Sequence, residues 1–245
     1  MEGKNLNYQF SVFGDFTDIT PNNSQIVIDL LSMYKDKNFI PSIFQEIPLN
    51  IISGKNNNRI MLSNNDGWQM NIGNARLDLS ITPNEKSKYY NMDLNQIIKE
   101  ACDIIATLLE KYEKKCNRIA LNTMFLFDKD DSRKIESKYQ EKGRLIAFYN
   151  TNISEEWNER IISQVVNEEF NNETINVGVN LIRGEGEFTV LNKIIPFNGI
   201  SMQIDINTTP NTTTHRFGTM EIKKFFEIAI DYKNTIESDI EELLK

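Results

Sequence analysis

One short run of the sequence, residues 204–216, gathers most of the side chains that could contact a ligand. It contains Asp205, Asn207, His215 and Arg216, which supply a carboxylate, an amide, an imidazole and a guanidinium. A loop before the N-terminus of a helix can bind an anion, because its free backbone N–H groups point towards the bound group. The four residues therefore predict a ligand or phosphate contact. A solvated loop without a ligand is the alternative interpretation.

A second chemical possibility is a pair of carboxylates. Asp78 and Asp205 lie in two similar stretches, and paired carboxylates can act as general acid and base or bind a divalent ion. Each aspartate also alternates with apolar neighbours. That alternation is typical of a strand with one solvated face, which is the simpler interpretation of both residues.

Other features limit the chemistry that the chain can perform. His215 is the only histidine, so a site with several histidine ligands, common for catalytic zinc, is excluded. The sequence has no GxSxG, HExxH or P-loop motif, and the glycines at 184 and 186 predict a hairpin turn. Cys102 and Cys116 form no CxxC motif and are expected to be reduced, structural thiols. We assign no catalytic residue, no metal site and no cofactor.

Trp68 is a candidate for a contact with another protein. It follows an Asn-Asn-Asp-Gly turn at 64–67, and tryptophan is enriched where interfaces concentrate their binding energy. Packing in the core is the alternative for this residue. Trp157 lies on an apolar stripe with Ile161 and Val165, which predicts a buried position on a helix.

The elements that must position these residues can be predicted from apolar spacing. Asp93 is expected to cap a long helix over 94–112, and a second long helix is expected from Met220 onwards. Strands are predicted at 118–127, 144–149, 175–181 and 200–206 among others. A helix capped at Asn152 and carrying Trp157 is expected to follow 144–149, and the charged segment 129–142 is expected to be a connection.

Two stretches of the chain resemble each other. Residues 77–84 read LDLSITPN and residues 204–211 read IDINTTPN, and a helix begins shortly after each. The repetition predicts an α+β protein with two duplicated halves, 1–116 and 117–245, packed as one body. Each half has the order β-α-β(3-4)-α, with antiparallel curved sheets covered by long helices. This order resembles the TATA-box-binding-like and helix-grip topologies.

Composition limits the partners. The formal net charge is −8, which disfavours non-specific binding to nucleic acid because the phosphate backbone is also negative. No apolar run approaches the roughly 18–20 residues that span a bilayer, and the first residues lack the core of a signal peptide. A protein without membrane contact, in the cytoplasm, is expected.

The chain also resembles a known family. The resemblance rests on Gly67 followed by Trp68, on the strands at 75–77 and 118–122, and on the closing helix rich in phenylalanine and tyrosine. It is similar to an uncharacterised, sporadically distributed family of bacterial proteins of about this length. The resemblance implies a horizontally transferred gene, of the kind often found in defence or toxin loci, and supplies no catalytic residues.

Together these observations predict a non-catalytic accessory factor of bacterial or phage origin that binds another protein, in a defence or toxin-control setting. One alternative is a ligand-binding or hydrolytic pocket of helix-grip type that uses Asp205, Asn207, His215 and Arg216. A further alternative is nucleic-acid binding by a concave sheet. A homo-oligomer stays open as well, because pseudo-symmetric bodies often dimerise.

Overall fold

Nine antiparallel strands form one sheet in the computed structural model, which describes residues 1–46, 57–83, 87–90, 92–141, 155–190, 193–210 and 213–245. The strands are β1 (Gly3–Gly14), β2 (Ile40–Gln45), β3 (Asn58–Ser63), β4 (Trp68–Ile72), β5 (Arg76–Ile81), β6 (Cys116–Phe127), β7 (Trp157–Asn167), β8 (Glu173–Val190) and β9 (Lys193–Thr208). The helices in these ranges are α1 (Ser24–Met33), α2 (Leu94–Lys111), α3 (Lys129–Glu141) and α4 (Thr219–Leu243).

The strands follow the order β2-β3-β4-β5-β1-β6-β9-β8-β7 across a curved, unclosed sheet. β1 and β6 are therefore central neighbours, and the strands from the first and second halves of the chain extend away from them on either side. The predicted α+β class is confirmed. Strands of the two halves belong to one continuous sheet, because β1 pairs with β6 from Gly3 opposite Phe127 to Gly14 opposite Cys116.

The four helices of the described ranges pack on the apolar face of this sheet. Alternate residues of each inner strand point to that face, as Phe10 and Val12 do on β1, and both are fully buried. The ring of Phe10 meets the edge of Phe226 on α4 with 5.3 Å between ring centroids. α2 and α4 lie side by side on the sheet. The core thus occupies one layer between sheet and helices, and the other face of the sheet carries no helix among the described residues.

The two long helices begin as their sequences predict. The side chain of Asp93 accepts a hydrogen bond from the N–H of Asn95, which confirms the predicted cap of α2. In α4 the Glu221 carboxylate accepts the N–H of Gly218 at 2.9 Å, so Glu221 reaches back to the residue before the helix. Both helices bury the apolar stripe that identified them in the sequence.

The segment that contains Trp157 is the main correction to the sequence analysis. Trp157, Ile161, Val165 and Val166 do not form a helix; they lie on β7, which pairs with β8 over its whole length. The segment 129–142, expected to be a connection, contains helix α3 instead. The Asp128 side chain caps this helix by accepting the N–H of Asp131 at 2.8 Å.

The glycines at 184 and 186 do not make a turn. β8 continues through both, and Gly184 lies opposite Gly199 of β9. The predicted strand at 144–149 and the predicted cap at Asn152 lie outside the described residues. None of the described helices combines the length and apolarity needed to cross a membrane.

A partly buried ion cluster attaches α2 to two turns of the first half of the chain. One oxygen of the Glu100 carboxylate accepts hydrogen bonds from the Lys37 ammonium at 2.7 Å and from the Tyr89 hydroxyl at 2.5 Å. Burial alone would raise the pKa of Glu100. The hydrogen bonds from Lys37 and Tyr89 outweigh it, so the pKa of this carboxyl lies below its ordinary value.

We predict that Glu100 makes stability depend on pH in acid. Because its pKa is lower in the folded state, the ionised group stabilises the protein above the ordinary glutamate value, and this contribution is lost as pH falls through the folded value. Glu100→Gln should lower the free energy of unfolding at neutral pH by about 1–3 kcal/mol. The variant should also lose less stability than wild type between about pH 6 and about pH 3.

The control is Glu110→Gln, which removes an exposed carboxylate from the same helix. Urea unfolding followed by circular dichroism at each pH measures both effects. If Glu100→Gln and wild type lost equal stability on acidification, the pKa of Glu100 would not be lowered in the folded protein.

Candidate functional site

The face of the sheet opposite the helices is rich in carboxamide side chains. Because side chains alternate along a strand, the residues between the buried apolar positions all point to this second face. We call it the amide face. Its asparagines and glutamines are Asn7, Gln9, Gln69, Asn71, Asn122, Asn158, Gln164, Asn176, Asn180, Gln203 and Asn207.

Asn207 is the centre of a hydrogen-bond network on the amide face. Its carbonyl oxygen accepts from the Arg118 guanidinium at 3.0 Å and from the Asn176 amide at 3.1 Å. Its own amide donates to Asp205 at 3.1 Å, and Gln164 donates to Asn176 at 3.0 Å. Only 5% of Asn207 is exposed. The hydrogen-bond network around it connects side chains on the four strands β6, β9, β8 and β7.

Asp205 lies at the edge of a shallow polar depression on the same face. The depression has a volume of about 300 Å³ and includes Asp205, Asn122, Asn180 and Arg160, and Gly178 leaves room for it because it has no side chain. The Oδ1 atom of Asp205 binds Asn207. The depression offers amide donors and acceptors together with one negative and one positive charge.

The second predicted carboxylate, Asp78, has its own partners on the first half of the amide face. It accepts hydrogen bonds from Ser11 at 2.5 Å and Gln9 at 3.0 Å, and it pairs with Arg76 at 2.7 Å. Asp78 and Asp205 lie on β5 and β9, which are three strand spacings apart, roughly 14 Å. The two carboxylates cannot share a proton or an ion at that separation.

The Arg216 guanidinium is bound to three acceptor atoms of the fold. It forms a two-pronged ion pair with Glu173, at 2.6 and 2.9 Å, and donates to the carbonyl of Asn117 at 2.8 Å. This clamp fixes the loop before α4 against the starts of β6 and β8. In this structure Arg216 therefore stabilises the position of the loop.

His215 is exposed on the same loop. It lies near Asp15, whose pKa is lowered mainly by hydrogen bonds from Thr17 and least by the attraction of His215. The four residues of the 204–216 run are thus divided. Asp205 and Asn207 lie on the amide face, whereas His215 and Arg216 belong to a loop, so they do not line one pocket between sheet and helix.

Trp68 lies in the core, where it is 1% exposed. Its ring contacts the edge of Tyr89 at 5.5 Å and lies near Phe10 at 6.4 Å, measured between ring centroids. The side chain offers no surface to a partner in this conformation. It packs between the first half of the sheet and α2, so it does not belong to the amide face.

The two cysteines and the possible metal ligands of the described ranges can be assessed directly. Cys102 and Cys116 are free and buried, and burial raises the pKa of each thiol to about 12, so neither supplies a thiolate nucleophile. No group of three or more metal-binding side chains occurs within residues that the structure describes.

Sequence analysis found Asp205 and Asn207 but missed Asn122, Asn180 and Arg118. The predicted strands at 175–181 and 200–206 lie in β8 and β9, and the polar residues between their apolar positions are the available signal. The amides of β7 could not be predicted to lie on a sheet, because the spacing of Trp157, Ile161 and Val165 predicts a helix. No single strand could show that these side chains would lie side by side, since strand order is not written in local sequence.

We predict that Asn207→Ala destabilises the protein by about 1–3 kcal/mol, because the partly buried donors of Arg118 and Asn176 lose their shared acceptor. Asn158→Ala, an exposed amide of the same face, should change the free energy of unfolding by less than about 0.5 kcal/mol. Chemical denaturation of both variants tests this. Equal, small effects would mean that Asn207 does not organise the amide face.

Comparisons with protein-family models, with curated proteins and with solved structures found no match for this chain.

Proposed function

We propose that this protein is a non-catalytic binding module that contacts another protein through the amide face. The observation that carries the proposal is the composition of that face. Asparagine is depleted in strands, because its side chain competes for backbone hydrogen bonds and packs poorly on a pleated surface. A face that only needed solvent would use residues that favour strands, so the many amides point to a role in recognition.

The amide face also contains polar atoms that need partners. Asn7 Oδ1, Arg118 Nε and Asn180 Oδ1 are buried and have no hydrogen-bond partner among the described residues. Buried polar atoms normally have hydrogen-bond partners, so these three side chains are candidates to turn towards a partner surface on binding. Since a carboxamide both donates and accepts, the face can match backbone and side-chain groups of a protein partner.

The charges on the amide face support a protein rather than a nucleic acid. Arg76 and Arg118 lie on the same face as Asp78 and Asp205, and both arginines are tied to these networks. Nucleic-acid binding gains most of its affinity from unpaired cations that neutralise phosphates. With a formal net charge of −8, the whole chain repels a polyanion.

We also infer that the chain arose by internal duplication, which would make the amide face a continuous surface built by two related halves. Both halves have the order strand, helix, three or four strands, long helix. The strands of the halves extend in mirrored order from the β1–β6 pair. Pro83 follows β5 as Pro210 follows β9, in the two similar stretches LDLSITPN and IDINTTPN.

The setting is part of the proposal. The family resemblance implies a bacterial or phage gene in a defence or toxin-control locus, and an accessory factor there acts by occupying a partner. The partner is then a protein encoded nearby or by the invading element. A cytoplasmic location fits such a role.

We predict that substitution on the amide face separates the protein from its partner. Gln203 lies beside the Asp205 depression, and Gln203→Arg places a long charged side chain there. Affinity purification of the full-length wild type from its native host, followed by native mass spectrometry, should yield a stoichiometric protein complex. The variant should weaken the complex at least about tenfold, or about 1.4 kcal/mol.

The control is Gln96→Arg, the same change at an exposed position on α2 that lies away from the amide face. It should keep the complex, and both variants should keep the wild-type melting temperature within a few degrees. A partner retained by both variants would place the interface elsewhere. Recovery of nucleic acid instead, with retention that falls steeply as salt rises, would favour the nucleic-acid alternative.

A further inference from the structure

A second site lies on the helix side of the sheet, away from the amide face. The helices α3 and α4 cover the outer strands β7 and β8 only in part, and a cavity of about 460 Å³ remains between these elements. Val177, Val179 and Leu181 form its floor, and Ile135 of α3 and Ile240 of α4 form its walls. Its size and apolar lining are those of small-molecule sites.

The corresponding place in the first half of the sheet is filled. Four residues before Pro83, Leu79 lies opposite Met70, and Met70 lies opposite Leu62. Met70 and Leu62 are fully buried, and their side chains occupy this place.

In the second half smaller residues take these positions. Four residues before Pro210, Ile206 lies opposite Val177, and Val177 lies opposite Ser163. Valine and serine thus stand where methionine and leucine fill the first half, and both of them line the cavity.

The helices repeat this difference. In the first half Tyr34 follows α1, packs against Phe39 at 5.7 Å between ring centroids and donates to the carbonyl of Ile104 on α2 at 2.7 Å. In the second half α3 contributes Ile135 as its only buried apolar residue. Ser132 and Asp131 of α3 bind the backbone N–H groups of Ile200 and Glu2 instead. Protein interiors are normally close-packed. Smaller residues on both the strands and the helices around this cavity therefore indicate a binding site.

The residues around the cavity also remain partly open to solvent. Ile161 is 58% exposed and Leu243 is 41% exposed, although both belong to apolar stripes that face the core elsewhere. Tyr139 of α3 stacks on Trp157 of β7, with 3.7 Å between ring centroids, and this aromatic pair closes one side. An apolar ligand would cover the exposed surface and gain the transfer free energy of burial.

The charges at the opening indicate which polar end the ligand carries. The Lys138 ammonium lies 3.8 Å from the Glu141 carboxylate on the same helix, whereas the exposed carboxylate of Asp239 forms no ion pair among the described residues. This carboxylate favours a positively charged head group at the opening and disfavours an anionic one such as a fatty acid carboxylate. We propose that the cavity binds a small amphipathic amine, with its hydrocarbon body on Val177 and Val179 and its ammonium group near Asp239.

Isothermal titration calorimetry of the full-length protein with decylamine, below the concentration at which it forms micelles, tests the proposal. Wild type should bind one molecule saturably, and decanoate of the same chain length should bind at least about tenfold more weakly. The double variant Ser163→Leu/Val177→Met gives the cavity the residues of the first half, so it should lose at least about tenfold in affinity. Gln164→Leu, the neighbouring position on the amide face, should bind as wild type does.

Tryptophan fluorescence gives a second readout if the double variant folds poorly. Trp157 lines the cavity, whereas Trp68 is buried in the other half. Decylamine should change the emission of wild type and leave that of Trp157→Phe unchanged. Absence of saturable binding to wild type, equal binding to the filled variant, or equal affinity for decanoate would each overturn the proposal.

Discussion

The pairing of β1 with β6 is the interaction on which the rest of this structure depends. It joins the two halves of the chain into one sheet and sets which residues of the central strands face the helices. A shift of one residue would turn Phe10 and Val12 outwards and bury Gln9 and Ser11 under α4. The long apolar alternation therefore fixes the register, and the register creates both the apolar layer and the amide face.

The outer strands β7 and β8 show how much one register can determine. Ile161 lines the cavity and Ile162, its neighbour in the chain, lies on the opposite face, although both are about equally exposed. Alternate residues of β7 and β8 therefore contribute to the cavity and to the Asp205 depression, which also includes residues of β6 and β9. A displacement of β7 would alter both, because β7 contributes residues to each site.

Most of the fold can be predicted from the sequence where apolar spacing has one meaning. Asp93 and the stripe after it match only a helix. The spacing of Trp157, Ile161 and Val165 is ambiguous, because a step of four residues keeps one face of a helix and also one face of a strand. The segment also contains two pairs of adjacent β-branched residues, Ile161 with Ile162 and Val165 with Val166. Such pairs favour a strand over a helix and distinguish the two structures here. α3 escaped prediction because Ile135 is its only buried apolar residue.

The site follows from the sequence only in part, since its residues become neighbours through strand order. Asp205 and Asn207 could be recognised as polar positions in an apolar strand, but Arg118 reaches Asn207 across 89 residues of sequence. The role of Arg216 was similarly hidden, because its carboxylate partner Glu173 is distant in the chain. The cavity is harder still to predict. Ser163 and Val177 are ordinary strand residues, and only the register, which places them side by side on the apolar face next to Ile206, shows that their small size leaves a space.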